Sequence, residues 1–441
     1  MIPYSKLRRL TYSDAGKMSV DWASLDKDLV ELIGWRVLAG DLPDYVRFRA
    51  VCSHWRASTV RPSRRGVLDP RFYPRRWMML PEGHGLYPGH PDLGGFVRFF
   101  NLSTGAFVRA HLPLLDDHVI LDSIDGLLLL HRDHDTAIRL LNPFTGDVAE
   151  LPPLASLLPQ IEFTHRYNEQ SKRTGLMSVR ASSVTVSSTG TITVMLAFDL
   201  LHRVAYATTG DQRWTLFAWK IQPLLRPVSF QGKFYAMQIV VSVRKLYIHQ
   251  INPPIQDTAE ELSNLLLPVK IAEFPMEKFL YILNFVECCS ELLLVAYNDA
   301  SRSKLVIYRL ADLVNGKFEP VTSIGNHTLF VGERCLCVSF SPNKGSKNLL
   351  SISPNSVICL HSLPVNHDSE DSSHFEQYDL GTGIWIPASD GNIFQMPPAS
   401  PHTLIHHIFT CCRLKYWNKG LMFCAETEPV WLVKQELRYG A

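Results

Sequence analysis

Two stretches of this chain carry residue types that do chemistry. In HTLIHHIFTCC, residues 402–412, His402 and His406, and likewise His407 and Cys411, stand four apart. On a helix each pair would project from one face and chelate zinc. No second ligand pair accompanies them, and Ile, Phe and Thr suit the stretch equally to a β-strand, on which those pairs would not converge. The other stretch is His131-Arg132-Asp133, the HRD of a kinase catalytic loop. Such a loop needs an asparagine five residues after the aspartate, where this chain has Ile138, and neither a glycine-rich loop nor a DFG is present. The sequence therefore predicts no catalytic residue, no metal site and no cofactor.

The nine cysteines point the same way. An odd number with adjacent pairs, Cys288 beside Cys289 and Cys411 beside Cys412, and no CxxC…CxxC spacing, does not make a disulfide framework. They read as small apolar residues in a reducing compartment. A formal charge of +2 over 441 residues argues against wholesale binding to nucleic acid or a membrane surface. No apolar run approaches the roughly 18 residues that cross a bilayer. The first residues, MIPYSKLRRLTYSDAGK, have basic character but no apolar stretch after them, so they are not a secretory signal. A cytoplasmic or nuclear location, or both, is the expectation.

The elements change character near residue 77. From there to about residue 401 the chain reads as short β-branched and aromatic runs, WMML, FVRFFNL, AIRLL, ITVMLAF, WTLFAWK, GKFYAM, KLVIYRL and CLCVSF, separated by turn residues. One turn recurs. FNLSTGAF, LNPFTGDV and YDLGTGIW place Asn101, Asn142 and Asp379 three residues before a Thr-Gly. The Asx side chain can cap the turn, and the glycine supplies the positive φ that closes a hairpin with a bulge. Spacings of 40-odd residues, from Gly105 to Gly146 and on to Gly190, match four-stranded propeller blades. The expected fold is a small N-terminal helical module followed by a large all-β, six- or seven-bladed, kelch-like β-propeller, with a pair of β-sandwiches as the alternative.

Residues 20–60 are helical. In DWASLDKDLVELIGWRVLAG, Ser24 is placed as N-cap, Asp26 and Asp28 in the positive first turn, and Leu25, Leu29, Leu32, Ile33 and Val37 on one apolar stripe, with Gly40 at the stop. A short helix around residues 44–49 then leads, after a bend, into RFRAVCSHWRAST. There Phe48, Val51, Cys52 and Trp55 fall on one helical face. About forty residues cannot bury both stripes against each other, so part of this surface needs a partner.

Leu25-x-x-Asp28-Leu29-x-x-x-Ile33, followed by Arg49-Ala-Val51-Cys52-Ser-His-Trp55-Arg56, resembles the F-box, the module that docks on the Skp-type adaptor of a cullin ubiquitin ligase. The β region resembles the propeller-like F-box-associated domain of one plant subfamily through SIDGLLLLHR, LLNPFTGDVAELPPL, VSFQGKFYAM, CSELLLVAYN and IGNHTLFVGERCLCVS, in that order. The resemblance implies a non-enzymatic substrate receptor of an SCF-type ligase. Leu25, Leu29, Ile33, Val51, Cys52 and Trp55 would pack on the adaptor and through it meet a cullin, while the propeller holds an unnamed target protein. The other function classes are a propeller enzyme or ligand-binding protein, which needs carboxylates or Tyr, His and Cys ligands converging on the channel, and a scaffold whose F-box no longer docks. The chain departs from the F-box pattern at Asp26, where proline is usual, and around Ala39 to Asp41, where its loop is longer.

The expected domains are an extension at 1–19, with MSVDWASL offering a start at Met18, the F-box at 20–60, an Arg-rich linker at 61–76, the propeller at 77–401 and a tail at 402–441. Arg47 to Arg76 holds nine arginines against the single acid Asp69. It reads as a solvated linker rather than a nucleic-acid module. HSLPVNHDSEDSSHFEQ, 361–377, reads as a serine-rich excursion between strands and a phosphorylation candidate.

Overall fold

The protein was studied as a computed structural model, which describes residues 22–80, 95–132, 134–161, 175–219, 225–254, 267–275, 281–299, 301, 303–332, 334–339, 352–362, 373–388, 405 and 408. The chain divides into two compact units, Met1–Pro62 and Ser63–Ala441.

Among the described residues the second unit contains six sheets. Sheet 1 is β1 (Trp77–Met79), β2 (Phe96–Asn101) and β3 (Phe107–His111); sheet 2 is β4 (His118–Ile124), β5 (Leu127–Arg132), β6 (Ile138–Leu141) and β7 (Val148–Leu151). Sheet 3 is β8 (Val179–Val186), β9 (Ile192–Phe198), β10 (Arg203–Thr208) and β11 (Thr215–Leu216); sheet 4 is β12 (Leu225–Phe230), β13 (Lys233–Val240), β14 (Lys245–Ile251) and β15 (Val269–Pro275). Sheet 5 is β16 (Tyr281–Cys288), β17 (Glu291–Tyr297) and β18 (Leu305–Arg309). Sheet 6 is β19 (His327–Val331), β20 (Leu336–Ser339), β21 (Ser356–Ser362), β22 (Ser373–Asp379) and β23 (Ile384–Pro387). Five sheets are simple antiparallel meanders; the sixth runs β20-β19-β21-β22-β23, with β19 and β21 parallel.

Alternation along each strand explains why the sheets form a ring. In β9, Val194, Leu196 and Phe198 pack with Leu127 and Leu129 of sheet 2, while Met195 and Ala197 pack with Phe234 and Ala236 of sheet 4. Both faces of the strand are covered, so ITVMLAF is apolar at nearly every position rather than at every second one. Sheet 4 meets sheet 5 through Met237 and Leu294, and sheet 5 meets sheet 6 through Val295 and Val357. Trp77, Phe99, Leu130 and Phe330 then join sheets 1, 2 and 6 in one cluster. Each sheet thus packs between two others, and the architecture is a six-bladed β-propeller. Strands β4, β8, β12, β16 and β19 neighbour one another in that order.

The recurring Asx turns close the last hairpins of sheets 1, 2 and 6. Asn101 Oδ1 accepts the Ser103 and Thr104 N–H groups, Asn142 Oδ1 those of Phe144 and Thr145, and Asp379 Oδ1 those of Gly381 and Thr382. Gly105, Gly146 and Gly383 all have φ near +70°. Gly190, by contrast, lies in the β8–β9 hairpin, the first of its sheet, so the Gly146–Gly190 interval does not measure a blade. WTLFAWK is also shorter as a strand than its composition suggests. Only Thr215–Leu216 pairs with β10, because Trp214 turns inward and its Nε1 donates to the Pro152 carbonyl at 2.7 Å.

Residues 63–76 belong to this second unit rather than forming a free linker. Asp147 accepts the Arg64 and Gly66 N–H groups, and the buried Asn142 amide donates to the Gly66 and Phe72 carbonyls. Of the serine-rich stretch, residues 361–362 end β21 and 373–377 begin β22. Residues 363–372, the extension at 1–19 and, apart from Ile405 and Ile408, the 402–441 tail with its His and Cys pairs lie outside the described residues.

Candidate functional site

The first unit holds α1 (Lys27–Gly40), α2 (Leu42–Arg49) and α3 (Ser53–Ala57). The N-cap of α1 is Asp26, not Ser24: its carboxylate accepts the Asp28 N–H at 2.8 Å. Asp26 therefore precedes the first turn, and the residue that replaces the usual proline satisfies one of the helix's orphan donors. Its φ of −56° is one that proline also adopts.

The inward face of α1 is Val30, Gly34 and Leu38, one residue round from the predicted stripe. They pack with Leu42 and Tyr45 of α2 in the interior of the unit, where Tyr45 donates its hydroxyl proton to the Val60 carbonyl at 2.8 Å. Gly34 lets the helices approach closely, since a Cβ there would stand 2.9 Å from Thr59 Cγ2 and force that side chain to shift. The apolar residues left over face outward. Leu29 is 50% exposed, Leu32 50%, Val46 49% and Val51 61%.

The predicted adaptor residues divide by environment. Leu29 and Val51 are exposed; Leu25, Ile33, Cys52 and Trp55 are half-buried. RFRAVCSHWRAST is not one helix: α2 ends at Arg49, and Cys52 restarts the chain as N-cap of α3, its Sγ accepting the Trp55 N–H at 3.4 Å. The break takes Phe48 off a shared helical face with Trp55, yet their rings stack at 4.4 Å. Trp55 is held further by its Nε1–H on the Trp22 carbonyl at 3.0 Å, and His54 Nε2 lies 2.7 Å from the Leu25 carbonyl. Phe48 is thus an internal packing residue, as its place outside the V-C-x-x-W-R core suggests.

In the propeller, buried polar groups gather on the neighbouring first strands. Asp122 of β4 pairs with Arg334, between β19 and β20, at 2.7 Å, accepts the Ser123 N–H through the same oxygen, and takes the Ser182 hydroxyl of β8 on the other. Asn284 of β16 donates to the Gly332 carbonyl at 2.8 Å. Past the end of β4, Asp125 pairs with Arg75 at 3.3 Å. The crowded surroundings of Glu287, which still reaches solvent, lift its carboxyl above the usual range, and the Asp125 charge adds to the lift against the pull of Arg75. The group offers fixed charge pairs and one carboxyl biased toward holding a proton. Nothing in the sequence signals it, since Asp122 and Arg334 are distant in the chain and no motif links them. His131 of the HRD is fully buried in β5 with no hydrogen-bond partner among the described residues, and burial drives its pKa down to about 4. It is a core residue there.

Among solved structures, the chain resembles the nidogen/laminin complex at 8% identity and a TM-score of 0.28, covering 70% of this chain and 91% of that one. It resembles Porphyromonas gingivalis dipeptidyl peptidase 4 at 10% identity and 0.29, covering 68% and 42%. It also resembles the β-propeller domain of Myceliophthora thermophila Cps50 (Swd1) at 11% identity and 0.27, covering 66% and 77%. Likenesses this distant carry no functional argument. No curated protein matches the chain in sequence. The family pattern described as KIB1-4 beta-propeller matches residues 99–383, from inside β2 to the turn before β23 and well over half of the sequence. The chain belongs to the KIB1-4 beta-propeller family.

Proposed function

We propose that this chain is the substrate-recognition subunit of an SCF-type ubiquitin ligase. Its helical unit docks on a Skp-type adaptor and its propeller holds the target protein. The observation that carries the reading is the outward placement of Leu29, Leu32, Val46 and Val51 on a unit of three short helices. Apolar side chains concentrated on so small a unit mark a binding surface, and Leu29 and Val51 stand at positions of the F-box pattern. The half-buried Trp55, also a position of the F-box pattern, is held rigid by Phe48 and Trp22.

The receptor performs no bond chemistry. A conjugating enzyme on the same ligase supplies ubiquitin, and the receptor raises the effective concentration of target lysines near it. The propeller, a protein-interaction fold among its other uses, serves as the capture surface, and the protein works in the cytoplasm or nucleus. Among the described residues no helix is long and apolar enough to cross a membrane.

The test is co-purification of a tagged copy with a Skp-type adaptor. Leu29→Asp with Val51→Asp changes two exposed side chains and leaves the Val30–Tyr45 interior intact. The reading expects the adaptor to be lost from that variant while the chain stays folded. Equal adaptor recovery from parent and variant sinks it.

A further inference from the structure

Three soft ligands meet where sheet 5 packs on sheet 6. Cys288 ends β16, Cys289 stands in the β16–β17 turn and His327 opens β19. One donor atom from each lies within 4.8 Å of the others. Cys289 Sγ is 3.1 Å from His327 Nε2 and 3.9 Å from Cys288 Sγ. At the edge of this group Cys337 Sγ of β20 is 3.3 Å from Cys288 Sγ, although it does not stand within 4.8 Å of all three donors, so a small shift of β20 would bring it in as the fourth. Around a tetrahedral zinc with Zn–S bonds of about 2.3 Å, sulfur atoms stand about 3.8 Å apart. The Cys288–Cys337 and Cys288–Cys289 separations of 3.3 and 3.9 Å bracket that value.

Two further features favour a metal over a chance cluster. His327 Nδ1 lies 2.8 Å from the Ile324 carbonyl, which can only accept. The ring proton therefore sits on Nδ1 and the lone pair on Nε2, the nitrogen nearer Cys289, as in histidines oriented for a metal by a carbonyl. The turn is unusual too. Cys289 and Ser290 have φ of 52° and 63°, consecutive left-handed residues of the kind that Asn-Gly usually supplies in a two-residue hairpin. A cysteine in that strained position points to a task beyond turning the chain.

We propose that Cys288, Cys289 and His327, with Cys337 completing the set, bind one zinc ion that ties sheet 5 to sheet 6. The thiols bind as thiolates and release their protons to solvent, with no change of oxidation state. Four protein ligands leave no open position, so the ion is structural rather than catalytic. Cys288 and Cys337 take part in the same sheet 5–sheet 6 packing, so the ion would lock that interface.

Cobalt titration of the full chain in reducing, chelator-free buffer tests this. The expected result is one equivalent of Co²⁺ bound with thiolate charge-transfer and tetrahedral d–d bands, displaced by Zn²⁺. In Cys289→Ser with His327→Ala the affinity falls by more than about tenfold. Should that variant fail to fold, His327→Cys decides: its cobalt spectrum must move toward the four-thiolate form, and an unchanged spectrum overturns the site. Absence of bands from the folded parent overturns it, as do bands unaltered in a folded double variant, which would place the metal elsewhere, for instance at 402–412. Recovery of Cys288 and Cys337 as a disulfide from the reduced preparation also overturns it.

Discussion

Arg334 Nη2 stands 2.7 Å from Asp122 Oδ1, with the two side chains only 13% and 11% exposed. The pair joins sheet 6 to sheet 2, and the Ser182 hydroxyl on the same carboxylate brings in sheet 3. Removing one partner of a nearly buried pair strands the other charge. Arg334→Met is expected to lower the unfolding free energy by about 3 kcal/mol, read from denaturant midpoints at unchanged slope. Asp122→Asn should cost less, since the amide still bonds Ser182. A loss from Arg334→Met no larger than an exposed pair gives, below about 1 kcal/mol, would contradict a cross-sheet tie.

Asn142 is fully buried and serves four partners: its carbonyl caps the turn, and its amide holds the Gly66 and Phe72 carbonyls. Asn142→Ala leaves those carbonyls without a donor and is expected to cost about 2–4 kcal/mol. Asp379→Ala, at an exposed turn with two backbone N–H partners, should cost about 1 kcal/mol. Thermal unfolding of the two variants ranks them, and equal shifts would mean that the 63–76 segment contributes nothing through Asn142.

His131 gives the fold a pH dependence whose sign follows from its lowered pKa. Above pH 6.5 the imidazole is neutral folded and unfolded. Between about pH 6.5 and 4 the unfolded chain takes up a proton that the buried ring refuses, so stability falls as pH falls. Below about 4 both states are protonated and the loss stops. The interval is worth about 3 kcal/mol, and His131→Phe should flatten that part of the stability–pH curve. A curve unchanged by the substitution would show that other groups set it.

At α1, Asp26→Ala removes the side-chain cap and should cost the helical unit about 1 kcal/mol. Asp26→Pro restores the usual residue at a φ of −56° that suits it, and should retain adaptor binding. Circular dichroism and adaptor co-purification on both variants check this. Loss of binding in Asp26→Pro alone would mean that the carboxylate itself touches the adaptor.

The propeller was legible because its signal is local: Asx-x-x-Thr-Gly turns and apolar runs covered on both faces leave their mark residue by residue. The helical unit was legible in its helices but not in their rotation. Leu29 and Leu32 belong to an apolar stripe by composition, and only the docking of Val30, Gly34 and Leu38 onto Tyr45 decides which face is spent internally. The Asp122–Arg334 pair and the Cys288–Cys289–His327 cluster were invisible for another reason. Each is assembled from sheets whose meeting depends on closure of the ring, and no spacing in the sequence records it. Cysteines read singly as apolar filler come together with His327 only when β16 and β19 lie side by side.

Under the proposed function, the exposed Leu29 and Val51 of the helical unit meet the adaptor. The most direct test is the measured affinity of the full chain for a purified Skp-type adaptor, parent against Leu29→Asp with Val51→Asp. Tight binding by the parent and a loss of at least about tenfold in a folded variant are expected. Equal affinity for the two, or no binding by the parent, would contradict it.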